Sequence, residues 1–142
     1  MSIEVYMNFN GNCKEAVEYY AEIFETTEPE FMTFGEAPED PLFHLPEDTK
    51  DRIMHVGLEI EGTVVMFSDA LPDSPVNFGN NISPVVNTDD VKRIETLFHR
   101  IKQEGTVEME LQKTFWSKCY GSVVDKFGVM WQFNYYDEDE NE

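Results

Sequence analysis

The chain has 142 residues and carries 29 acidic against 10 basic side chains, a formal charge of −19. That balance repels phosphate backbones and anionic lipid surfaces, so nucleic-acid and membrane-surface partners are excluded as expectations. Hydrophobic residues at 41% and aromatics at 13% suffice for a core, no apolar run reaches the roughly 18–20 residues of a membrane span, and the start shows no basic segment followed by an apolar run, so no signal peptide is expected.

The first element in chain order is a strand over residues 3–10, with Ile3, Val5, Met7 and Phe9 on one face and Glu4, Tyr6, Asn8 and Asn10 on the other. Gly11 and Asn12 break it. Asn12 with Glu15 reads as a capping box, and Cys13, Ala16, Val17, Tyr20 and Phe24 form one apolar helical stripe. Glu28 and Pro29 close the helix region. A weak strand over 31–34 and a long acidic, proline-rich surface loop over 36–51 follow.

A hairpin comes next, with strands over 53–60 and 63–69 joined at Glu61-Gly62. Met54, Val56, Leu58 and Ile60 make its apolar face, and His55, Gly57 and Glu59 lie opposite. Residues 70–81 hold prolines, a glycine and asparagines and read as a linker. The plan then repeats. A strand over 82–87 is interrupted by Pro84, which indicates an edge or a bulge. Thr88 or Asp89 caps a second helix with the stripe Val91, Ile94, Leu97, Phe98 and Ile101, ended by Gly105. A strand over 106–111 and a connection carrying Phe115 and Trp116 lead to a second hairpin, turning at Asp125-Lys126-Phe127-Gly128. An acidic stretch, 137–142, reads as a solvated tail.

The expected fold is α+β: one domain over 1–142 made of two βαβββ modules, about 1–70 and 82–136, with a concave cleft shared between their sheets. Met66 and Gln132 occupy equivalent places in the two hairpins, as do Tyr6 and Ser83 in the two opening strands.

The combination of Asn8-Phe9-Asn10-Gly11-Asn12-Cys13, Met54-His55, Gly62-Thr63, Met66-Phe67-Ser68-Asp69, Thr114-Phe115-Trp116 and Asp125-Lys126-Phe127-Gly128-Val129 with Trp131 resembles the PhnB-like branch of the vicinal oxygen chelate superfamily. That superfamily includes glyoxalase I, extradiol dioxygenases and bleomycin-resistance proteins. Lys126 departs from the proline usual in that turn. The resemblance implies paired βαβββ modules, a ligand cleft, frequent homodimers, and in the enzymes a divalent metal held by four side chains from the opening and last strands of each module. The matching positions are Tyr6, Met66, Ser83 and Gln132, with Asn8 as the alternative on the first strand. Only Gln132 is a habitual ligand, and the thioether of Met66 does not suit Mg, Mn or Zn. Members of this group often carry methyltransferase labels, yet nothing in the sequence resembles a nucleotide-methyl-donor site.

The candidate residues each have a plainer role to set beside the chemical one. His55 suits a general base at neutral pH, or a metal ligand with Glu59, Gln132 or Asp69; it equally suits a hydrogen-bonded histidine on a polar sheet face. Glu59 is a candidate acid or an ordinary exposed residue at the hairpin's wet end. Asn8 and Gln132 can orient a polar ligand. Phe115, Trp116 and Tyr120 can wall a flat one or cap the core. Cys119 sits beside Lys118, which would lower its pKa slightly, and two cysteines without a framework fit a reduced cytoplasm. His44 and His99 fall in the acidic loop and off the apolar stripe of the second helix. Three readings follow: a metal-free protein that binds a small molecule in a cleft lined by Tyr6, Asn8, His55, Met66, Ser83, Trp116, Tyr120 and Gln132; a metal-dependent lyase, isomerase or dioxygenase with a displaced site around His55; and a non-catalytic interaction module.

Overall fold

The computed structural model describes residues 1–38 and 45–137; the centre of the acidic loop with His44, and the tail beyond Asp137, lie outside the described residues. The chain divides into two compact units, Met1–Asn77 and Phe78–Glu142.

In the first unit the elements are β1 (Val5–Phe9), α1 (Cys13–Phe24), β2 (Met32–Thr33), β3 (Ile53–Ile60) and β4 (Thr63–Asp69). They form a four-stranded sheet in the order β1-β4-β3-β2. β1 runs parallel to β4, and β3 pairs antiparallel with β4 and with β2. The helical stripe is buried as its spacing predicts, through Cys13, Ala16, Val17, Tyr20, Ile23 and Phe24. It closes on a stack in which Phe67 lies 5.8 Å from Tyr20 and 6.4 Å from Phe9 between ring centroids. Each such side chain contributes about 1.5–3 kcal/mol of burial.

Both helix termini differ from the sequence expectation. Asn12 makes no side-chain cap bond. The carboxylate of Asp69, at the end of β4, takes its place: Oδ1 accepts from the amides of Gly11 (2.8 Å) and Cys13 (3.0 Å), and Oδ2 from that of Ile53 (2.9 Å). An ionised acceptor satisfies the orphan amides better than an asparagine oxygen. At the other end, Glu25 enters the left-handed region with φ 54°, and the Thr26 amide reaches back to the Ala21 carbonyl. The helix therefore stops before Glu28 and Pro29.

The β3–β4 hairpin turns at Glu61 and Gly62, both with positive φ, the geometry that matches strand twist. Its buried face is Ile53, Val56, Leu58 and Ile60, with Met54 only half-buried. The pairing of β2 with β3 is irregular between Met32 and Thr33, and the Asp69 bond to the Ile53 amide fixes Ile53 inward in place of Met54.

The second unit repeats the plan with β5 (Val85–Thr88), α2 (Val91–Lys102), β6 (Thr106–Gln112), β7 (Tyr120–Val124) and β8 (Met130–Tyr135). Its order is β5-β8-β7-β6, with β5 parallel to β8. β5 is an edge strand that begins after Pro84, whose carbonyl accepts from the Gln132 amide at 3.0 Å. The cap of α2 is Asp90 rather than Thr88 or Asp89: its Oδ1 accepts from the Arg93 amide at 3.0 Å, while Thr88 Oγ1 accepts from the Asp90 amide at 3.2 Å. Ile94, Leu97, Phe98 and Ile101 are buried on α2 against Trp131 and Phe133 of β8. Buried Asp125 organises the second hairpin turn, accepting from the amides of Phe127 and Val129 and from Trp131 Nε1 (2.9 Å).

Candidate functional site

Alternation along the strands places one face of each sheet under its helix and leaves the candidate residues on the other. In the first unit the register sets Tyr6, Met66 and Gly57 side by side across β1, β4 and β3, with Asn8 beside Ser68 in the next row. Ser68 Oγ donates to Asn8 Oδ1 at 2.8 Å. Tyr6 is 45% exposed, and its ring centroid lies 6.1 Å from that of His55. His55 and Glu59 are both exposed on β3. Four residues along one strand separate them by about 13 Å, so they do not act on one atom together. Asp69 is 4% exposed and both its oxygens hold backbone amides. It serves the fold and does not partner His55.

In the second unit Gln132 lies between Val85 on β5 and Ser122 on β7. The residue level with Gln132 is therefore Val85, as Tyr6 is level with Met66, and Ser83 stands two positions earlier. Ser83 still reaches Gln132. Tyr120 Oη donates to Gln132 Oε1 at 2.5 Å, and Gln132 Nε2 donates to Ser83 Oγ at 2.6 Å, giving a three-member polar chain. Trp116 stands edge-on to Tyr120 at 5.3 Å and to Phe115 at 4.7 Å. Phe115 is 98% and Trp116 52% exposed. Asn134, two residues beyond Gln132, donates from Nδ2 to Asn87 Oδ1 at 3.0 Å, and its own Oδ1 is buried with no hydrogen-bond partner. Sequence reasoning missed Asn87 and Asn134; their signal was the alternation that puts Asn134 on the face of Gln132.

This donor set does not fit a divalent metal. The oxygen of Gln132 is engaged by Tyr120, Ser83 is engaged by Gln132, and Tyr6 and Met66 supply a phenol and a thioether. Among the described residues no three of His, Cys, Asp and Glu gather where they could hold a metal ion. Both cysteine thiols are held toward the protonated form. Burial, reinforced by the charge of Asp69, pushes the Cys13 thiol up to about 12. Burial and then Glu95 raise that of Cys119, which overturns the lowering expected from Lys118. The amides before α1 that would receive a phosphate are already held by Asp69.

Two βαβββ modules, each a mixed four-stranded sheet with one helix, make a glyoxalase-like fold. The same fold occurs in the fosfomycin resistance protein FosX from Listeria monocytogenes, at TM-score 0.63 over 100% of this chain and 98% of that one, with 10% identity. The family model described as 3-demethylubiquinone-9 3-methyltransferase matches residues 1–134, and the chain belongs to that PhnB-like family. Protein YjdN from Escherichia coli K12 is 31% identical over 140 residues, covering 94% of this chain and 95% of YjdN. Protein PA1353 from Pseudomonas aeruginosa has TM-score 0.79 and 35% identity over 94% of this chain and 98% of its own. A PhnB protein from Bacillus cereus has TM-score 0.71 and 24% identity over 96% and 100%.

Proposed function

We propose that this chain binds a small aromatic cation on the open face of the second sheet, without a metal, in the manner of a sequestering protein. The observation that carries the reading is the Tyr120–Gln132–Ser83 chain beside the exposed ring of Trp116. Trp116 offers a ring to stack on, and the polar chain fixes orientation. The charge of −19 supplies the preference for a cation by raising its local concentration. No methyl transfer is part of the proposal. The reduced cytoplasm, from two free thiols, and a homodimeric state belong to the same reading; light scattering at several concentrations tests the latter.

The test is a thermal-shift panel of cationic, neutral and anionic aromatics on the wild type, Gln132→Ala and Trp116→Ala. A ligand at a hundred times its dissociation constant stabilises by about 2.7 kcal/mol. The reading stands if cations shift the wild type and both variants lose that shift. It fails if Gln132→Ala responds as the wild type does.

A second reading, favoured by the adjacency of Tyr6 and His55 on the first sheet, makes His55 a general base. It requires turnover of a substrate that His55→Gln abolishes. Unchanged turnover in His55→Gln removes it.

A further inference from the structure

Trp116 has a second neighbourhood, at the rim of the sheet. A cavity of about 220 Å³ opens there, lined by residues 113–118 together with Tyr135 and Asp137. It is distinct from the Tyr120–Gln132–Ser83 chain, because Tyr135 alternates with Gln132 on β8 and shares the parity of the buried Trp131 and Phe133. We propose that this cavity is a site for a single-ring aromatic anion, a carboxylate on an aromatic ring, held by Lys113 and Lys118 and stacked on the aromatic side chains of its wall.

Three observations carry the assignment. The first is charge. The chain has only 10 basic residues against 29 acidic ones, yet two of them line this one cavity. Screening over about 8 Å in physiological salt limits the reach of acids beyond that distance. Asp137 also stands in the wall, and Lys118 has other work, with its Nζ 5.3 Å from the Tyr135 ring centroid. Lys113 is therefore the principal cation.

The second observation is rigidity. The Thr114 amide donates to the Ser117 carbonyl at 2.9 Å, and the Ser117 amide donates to Thr114 Oγ1 at 3.1 Å. Ser117 Oγ lies within hydrogen-bonding distance of the carbonyls of Cys119 (3.0 Å) and Tyr135 (3.2 Å), which ties the segment to β8. A wall fixed in this way loses little entropy when a ligand arrives. The third is exposed aromatic surface. Phe115 at 98% exposure is held edge-on against Trp116 rather than turned into the core, and exposed apolar surface of this kind marks a contact site. The volume of about 220 Å³ falls below the roughly 300–1,000 Å³ of pockets for drug-sized molecules, which sets the ligand at one ring.

The experiment titrates benzoate, benzylammonium, acetate and inorganic phosphate into the full chain and follows the two tryptophan indole N–H signals. Trp131, 1% exposed and bonded to Asp125, is the internal reference. Benzoate is expected to move the Trp116 signal saturably and leave Trp131 in place, with Lys113→Ala weakening it about tenfold, the loss of one charge-assisted bond. Gln132→Ala should leave benzoate binding intact, which separates this site from the cationic one on the sheet face. In Gln132→Ala, which removes the cationic site, equal response to benzylammonium removes the charge assignment; equal response to phosphate or acetate removes the aromatic one, and no saturable shift with benzoate overturns the site.

Discussion

At the scale of the residue, Asp69 and Cys13 carry the sharpest expectations. Asp69 satisfies three backbone amides from a 4% exposed position. Asp69→Ala leaves them without that acceptor and should cost about 3 kcal/mol or more in urea unfolding, while Asp69→Asn, which keeps one oxygen, should cost less. Cys13 gives a pH signature. Its pKa is raised from the ordinary 9.0 to about 12, so below pH 9 both states hold the proton and its contribution is complete. Between pH 9 and 12 the unfolded chain releases the proton and the folded chain keeps it, so stability falls by about 1.4 kcal/mol per pH unit on this account. Cys13→Ala should show a shallower alkaline loss than the wild type; parallel curves would refute the assignment. The role of Asp69 was not legible in the sequence, because it bonds to Gly11 from 58 residues away, whereas Asn12 presented the local signature of a cap. Tyr120 was not legible as the partner of Gln132: the register sets it level with Asn134, and its hydroxyl reaches diagonally.

At the scale of the element, both hairpins and both helices follow from alternation, helical spacing and turn residues, because one buried face per element leaves little freedom of register. The termini were less legible, since neighbouring polar residues compete for the same amides; Asp90 prevailed over Thr88 and Asp89 because its carboxylate reaches the Arg93 amide. Gly105 marks the end of α2 for a reason of space. A Cβ there would meet the Val124 carbonyl and lie 2.8 Å from that of Ile101. Gly105→Ala should therefore cost about 1–3 kcal/mol through displaced backbone. Gly62→Ala, with φ 88° but open space around it, should cost about 1–2 kcal/mol, from conformation alone. Denaturant midpoints of the two variants decide between these causes when each is compared with the same position changed to Asn, which tolerates left-handed backbone: Asn should recover stability at 62 and none at 105.

At the scale of the whole molecule, a charge of −19 works against compactness. Exposed ion pairs such as Lys50–Glu47, Lys102–Glu110 and Lys126–Glu104 offset little of it. Added salt should thus stabilise the protein: as the Debye length contracts from about 30 Å at 0.01 M to about 3 Å at 1 M, self-repulsion fades faster than these pairs weaken. A melting temperature that falls with sodium chloride would contradict this. The parallel pairing of β1 with β4 has a consequence for how the chain is made. On the ribosome, β1 and the start of α1 emerge before β4, and their partner strand and the carboxylate that caps the helix arrive about 58 residues later. At about 5–20 residues per second that is an interval of about 3–12 seconds. Through it the nascent segment carries an unpaired strand and an uncapped helix, and the first module can close only when Asp69 leaves the exit tunnel.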